Sequence, residues 1–146
     1  MNLKALALLG AVAVMGAPAS AAIVTVYVFD FDYSTDSTHA TTVDPVIHVG
    51  DTVHWVFEDA DHTVTSVAGS AETFDSGFPS DLPFSYDHTF TNTGTFAYYC
   101  KMHGFDNGDG SAGGMAGLVT VNAVPEPATL VALGLGSLAL LRRRRR

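Results

Sequence analysis

Cys100 and His103 stand three residues apart in Tyr98-Tyr99-Cys100-Lys101-Met102-His103, and Cys100 is the only cysteine of the chain. A thiolate and an imidazole at that spacing can reach one metal ion if the chain turns between them. The thiolate is soft and the imidazole borderline, a pair that suits copper or zinc rather than magnesium or calcium. A fixed-geometry copper site asks for two imidazoles, one thiolate and a weak, distant thioether. The candidates lie in two places: His62 opens a strand after an acidic turn, and Cys100, His103 and Met115 lie around the last loop. A first histidine so remote in sequence ties the two halves of a domain together and fixes the site before metal arrives.

The ends of the chain say where such a site is delivered. Lys4, the eleven apolar residues Ala5 to Met15, and Ala19-Ser20-Ala21 read as a secretory signal peptide over 1–21, so the mature chain is expected to begin at Ala22. The apolar run is too short for a membrane span, which needs ~20 residues. At the other end, Val124-Pro125-Glu126-Pro127 precedes a fourteen-residue apolar stretch, Ala128 to Leu141, and then five arginines. As a helix that stretch would cover ~21 Å, short of the ~30 Å hydrocarbon core, with the arginines kept on the cytoplasmic side. Residues 125–146 therefore read as a stop-transfer tail that holds the chain transiently at the inner membrane. A permanent tail anchor is the competing reading.

Residues 22–124 remain as one domain with room for a single core. They contain one basic residue, Lys101, against fourteen acidic ones, a net charge of −13. That balance excludes nucleic acid as a partner and favours a basic protein surface, or none. A single cysteine in an exported chain cannot form an internal disulfide, and an exposed thiol outside the cytoplasm invites oxidation. Metal ligation would protect it.

The elements that must position these residues are strands. Ile23–Phe29, Val46–Val49, Thr52–Phe57, His62–Val67, Phe84–Thr91, Thr95–Cys100 and Gly117–Val121 carry the alternation and β-branched content of short strands. Turn signals such as Gly50-Asp51 and Asn92-Thr93-Gly94 separate them. Asp30 to Thr42 and Gly69 to Pro83 read as loops, and 104–114, with five glycines, as a flexible loop. No helical period of useful length occurs in 22–124. The expected fold is all-β, an antiparallel sandwich or barrel.

Several motifs taken together carry a resemblance. Gly50-Asp51-Thr52-Val53, Trp55, His62-Thr63-Val64, His88-Thr89-Phe90, Gly94-Thr95-Phe96, Tyr99-Cys100-x-x-His103 and Gly114-Met115-x-Gly117-x-Val119-x-Val121 follow in the order seen in plastocyanin-like cupredoxins. The resemblance covers nearly all of 22–124 and implies a Greek-key antiparallel β-sandwich around one type 1 copper ion. By motif position it implies His62, Cys100 and His103 as strong ligands and Met115 as the axial one. One departure is length: the family usually has only a few residues between the second histidine and the methionine, where this chain has Gly104 to Gly114. The last 22 residues resemble a PEP-CTERM sorting tail, with its Pro-Glu-Pro motif, short apolar helix and basic end. That resemblance implies processing by an exosortase-type enzyme in a Gram-negative bacterium. The destination is the periplasm, the outer surface or the extracellular matrix.

The expectation is a non-enzymatic one-electron carrier that meets a redox partner protein. One domain with one cysteine lacks ligands for the second copper centre of an oxidase. Copper sequestration or delivery, and a structural role in the envelope, stand as alternatives. His39, His48, His54 and His88 are expected to be solvated or hydrogen-bonded rather than ligands. Asp106-Asn107-Gly108-Asp109-Gly110 has the look of a calcium loop, but Phe105 occupies the first ligand position and no distal glutamate follows, so it reads as a solvated loop.

Overall fold

The structure, a computed structural model, describes residues 20–125. The expected signal peptide and C-terminal apolar helix lie outside the described residues, apart from residues 20, 21 and 125. Among the described residues, no helix is long and apolar enough to cross a membrane.

Eight strands form two four-stranded sheets. The first sheet has the order β2 (Asp32–Ser34), β1 (Ile23–Phe29), β4 (Thr52–Phe57), β6 (Phe84–Thr89). The second has the order β3 (Val46–His48), β8 (Ala112–Asn122), β7 (Gly94–Asp106), β5 (Thr65–Ser66). Alternation explains the layering. In β4 Val53, Trp55 and Phe57 are buried while Thr52, His54 and Val56 are less so, as a half-buried strand requires. Val26, Val28 and Trp55 of the first sheet meet Phe96, Tyr98 and Val119 of the second in one core. Trp55 is fully buried, its ring 5.5 Å from Tyr98 and 5.6 Å from Phe74.

The all-β sandwich expected from the motifs is present, and the sheets are mixed. β1 pairs with β4, and β3 with β8, in parallel; the other pairings are antiparallel. Parallel neighbours need a long crossover, which residues 30–51 supply between β1 and β4 and residues 49–111 between β3 and β8.

Three sequence expectations are corrected. Asp30 to Thr42 is not all loop: β2 folds back on β1 through a two-residue turn, with Tyr27, Val28 and Phe29 paired to Ser34, Tyr33 and Asp32. His62–Val67 is a strand only at Thr65–Ser66. His62, Thr63 and Val64 are all buried, which an alternating strand facing one core cannot achieve. Residues 104–114 are not a flexible loop. β7 continues to Asp106 and β8 begins at Ala112, so the segment is a ribbon with Gly104, Phe105 and Asp106 paired to Gly114, Gly113 and Ala112. The glycines at its base serve close approach: a Cβ on Gly114 would lie 2.6 Å from the His103 carbonyl oxygen.

Candidate metal centre

The β7–β8 ladder is regular up to Tyr99↔Ala116 and resumes at Gly104↔Gly114. Between those pairs, the four residues Cys100 to His103 on β7 face the single residue Met115 on β8. This is a large bulge, and bulges bend a strand and re-aim its side chains. It is the turn that lets Cys100 and His103 converge. Cys100 is fully buried and His103 half-buried, while Lys101 and Met102 are exposed. Met115, 4% exposed, sits in register with the bulge. The long segment between His103 and Met115 does not separate them along the sheet, because it pairs with itself from its base at Gly104↔Gly114.

His62 reaches the same place from the other sheet's connection. Asp61 before it has φ 65°, a left-handed conformation that aspartate tolerates and that turns the chain inward. His62 is 4% exposed. Its Nδ1 lies 3.1 Å from His103 Nδ1 and 3.8 Å from Cys100 Sγ, and His103 Nδ1 lies 3.6 Å from the same sulfur. A triangle with those sides has a circumradius of about 2.0 Å, a metal–imidazole bond length, and close to the slightly longer bond to sulfur. The donor set therefore fits one ion. Among the described residues these three form the group of histidine, cysteine and acidic side chains whose donor atoms lie within 4.8 Å of one another.

The surroundings favour the ligating form of His62. Burial pushes the His62 imidazole below its ordinary value and His103 adds to this, against the pull of Asp59, Asp61 and Asp30. A neutral imidazole is the form that binds metal. Thr63 donates its backbone N–H to Cys100 Sγ at 3.4 Å, and its carbonyl accepts the Tyr33 hydroxyl at 2.6 Å.

Phe31 is the residue that sequence reasoning missed. It and Asp30 form the β1–β2 turn with φ 66° and 34°, the two positive values that a type I′ turn demands. Glycine or asparagine is the usual choice there; a bulky aromatic pays ~1–2 kcal/mol for the left-handed conformation. Its ring packs edge-on to His103 at 4.5 Å and to His62 at 5.8 Å. No signal in the sequence marks it, because the tie depends on a turn that reads as the start of a loop.

The other histidines each face a carboxylate. His54 Nδ1 lies 2.6 Å from Asp87, His88 Nε2 3.0 Å from Glu72, His39 Nε2 3.1 Å from Glu58, and His48 Nδ1 3.8 Å from Asp51. Asp106 and Asp109 spend their oxygens on the N–H groups of Ala68, Gly108 and Ser111, as in a solvated turn.

Comparison with known proteins bears on the C-terminal tail and on the fold. The model of the PEP-CTERM protein-sorting motif matches residues 123–146. A sequence comparison with curated proteins finds no match. Among solved structures, the chain is similar to a reduced amicyanin variant at 28% identity and TM-score 0.50, covering 68% of this chain and 82% of that one. An oxidised amicyanin variant gives the same identity, score and coverage. The reduced Cu(I) form at pH 4 of another amicyanin variant shares 30% identity over 71% of this chain and 85% of that one, at TM-score 0.49.

Proposed function

The chain is a cupredoxin that carries a PEP-CTERM sorting motif, and on that premise we propose that it is an exported one-electron carrier built on a single copper ion. The observation that carries the proposal is the convergence of His62 Nδ1, Cys100 Sγ and His103 Nδ1 on one point with Met115 opposite the bulge. Two imidazoles and a thiolate in a buried setting, with a thioether nearby, are the donors of a blue-copper electron-transfer site. Bound copper would supply the electron by cycling between two oxidation states. The similarity to amicyanin variants in both reduced and oxidised states supports that reading.

The chain's own residues would do the rest. His62 and Cys100 are buried, and the Cys100 sulfur is held by the Thr63 backbone N–H, so they would keep one arrangement in both states and little reorganisation would accompany transfer. Met115 would be the weak axial ligand. His103, half-buried beside exposed Met102, would be the exit toward a partner. The exposed Asp30, Asp59 and Asp61 flank His62 closely enough to act on its charge. With −13 over residues 22–124, that flank suits a basic redox protein. The tail would pass to an exosortase-type enzyme after transient association with the inner membrane of a Gram-negative cell. The domain would then reside in the periplasm, on the outer surface or in the matrix. No catalytic step on a substrate is assigned to it.

Voltammetry of the copper-loaded protein tests this. A reversible one-electron wave is expected, with transfer to a basic redox protein slowing as salt rises. Tight copper binding with no reversible wave would contradict a carrier. Transfer rates independent of ionic strength would move the docking surface away from the acidic flank.

A further inference from the structure

A closed ring of hydrogen bonds stands beside the candidate centre. The Lys101 backbone N–H donates to Thr63 Oγ1 at 2.9 Å. The Thr65 hydroxyl donates to Asp75 Oδ1 at 3.0 Å. Thr63 Oγ1 and Thr65 Oγ1 are 3.2 Å apart. Thr65 has one hydroxyl hydrogen and it is spent on Asp75, which as a carboxylate only accepts; Thr63 must therefore be the donor to Thr65. The Lys101 ammonium closes the ring on Asp75 Oδ2. The direction is thus fixed throughout: Lys101 N–H to Thr63, Thr63 to Thr65, Thr65 to Asp75, and Lys101 Nζ to Asp75 from the other side. Hydrogen bonds chained in one direction polarise and strengthen one another.

The location gives the ring a task. Thr63 is fully buried and Thr65 8% exposed, so neither hydroxyl has water to turn to. Lys101 is the only basic residue in 22–124, and it lies next in sequence to Cys100. Asp75 is further held by the Gly77 N–H at 3.0 Å and by a β-bridge to Thr65. Thr63, in the middle, also donates its N–H to the Cys100 sulfur. A threonine whose hydroxyl both accepts and donates has its peptide plane pinned, and with it the direction of that N–H.

We propose that Thr65, Asp75 and Lys101 are positioning residues for the thiolate: through Thr63 they aim the N–H that donates to Cys100 and so set the electron density on the sulfur. This rests on the reading of the site as a copper centre. An N–H donated to sulfur favours the more electron-rich reduced state, and hydrogen bonding around the cysteine sulfur tunes the potential of such sites. Loosening the ring lowers the potential.

Three variants at one position separate this from a merely structural tie. Thr65→Val removes the hydroxyl at nearly constant shape. Thr65→Ser and Thr65→Ala both lose the methyl group and differ only in the hydroxyl. In the metal-free full chain, Thr65→Val and Thr65→Ala are expected to speed amide exchange at Thr63 and Lys101 about tenfold, and Thr65→Ser to stay near wild type. With copper at full occupancy, Val and Ala are expected to lower the potential and move the thiolate charge-transfer band, and Ser to restore both. Equal potentials and bands in all three variants overturn the proposal, whatever happens to thermal stability. If Thr65→Val does not fold, the Ser and Ala pair decides. If the wild-type protein takes up no copper, the copper reading fails. Exchange at Thr63 and Lys101 still judges the ring, which unchanged rates in Thr65→Ala and Asp75→Asn overturn.

Discussion

Glu72 and Cys100 each draw histidine into a polar cluster beneath the surface, and their surroundings treat them in opposite ways. Glu72, 5% exposed, lies near the start of β7. It accepts the Thr91 and Asn92 N–H groups at 2.7 Å each, the Asn92 amide at 2.9 Å and His88 Nε2 at 3.0 Å. Donors meet acceptors throughout that cluster, and it needs nothing from outside. Further along β7, His62 Nδ1, Cys100 Sγ and His103 Nδ1 face one another, with the Thr63 N–H shared to the sulfur, and in their metal-binding forms all three present lone pairs. Acceptors facing acceptors in a buried place are costly unless a cation sits between them. The difference shows how to tell a structural histidine from a ligand without an ion in view: what matters is whether the partner's chemistry is complementary, and burial alone does not decide it.

The comparison breaks most visibly at the thiolate. Cys100→Ser is expected to abolish the visible band of the copper-loaded protein, because that colour requires charge transfer from sulfur, and His62→Ala to disrupt the site as well. Retention of the band in Cys100→Ser would remove the assignment.

Glu72→Gln addresses the other cluster. Burial works to raise the Glu72 carboxyl, but the bonds from His88, Asn92 and Thr91 outweigh it and bring it from 4.5 down to about 2. A carboxyl whose value is depressed on folding adds stability above its unfolded value and loses it as pH falls through the folded one. The contribution, about 3 kcal/mol, is expected to be present at pH 5 and to fade between pH 4.5 and 2. Thermal unfolding as a function of pH should flatten over that window in Glu72→Gln, with the copper spectrum unchanged. A changed spectrum would mean that the two clusters are coupled.

Met115→Leu is a finer probe. Loss of a weak axial ligand should keep copper and colour while shifting the redox equilibrium by about tenfold, or ~59 mV for one electron. Met102→Leu should change neither. A shift in Met102→Leu alone would reverse the assignment of the axial ligand.

Phe31→Gly carries the smallest expected effect and the most contrary one. Glycine suits the turn, so stability should rise by about 1 kcal/mol. The two imidazoles lose their edge contact, so copper should pass to a chelator faster. A variant that is stabilised and exchanges copper at the wild-type rate would show Phe31 to be bystander rather than brace.

Much of this was legible in the residues. The strand pattern and the motifs from Gly50 to Val121 point to the sandwich, and Cys100-x-x-His103 with a remote His62 points to the cluster. What was hidden depends on pairing. Whether residues 104–114 flex or form a ribbon turns on Gly104 meeting Gly114 across the ladder, and composition reports the glycines without their facing partner. The parallel pairings rest on which strand ends lie side by side. The ring through Thr63, Thr65 and Asp75 joins residues that are individually unremarkable in sequence. Phe31 breaks the local turn rule, and such a break becomes informative only once the two histidines are seen beside it.

The central claim is that three donors from two distant segments hold one copper ion through the Cys100 thiolate. Titration of the protein with Cu(II), followed by visible absorption, tests it most directly. The expected result is an intense thiolate-to-copper band that rises linearly and saturates at one ion per chain. Saturation at one equivalent without that band, or a band that keeps growing beyond it, would contradict the account.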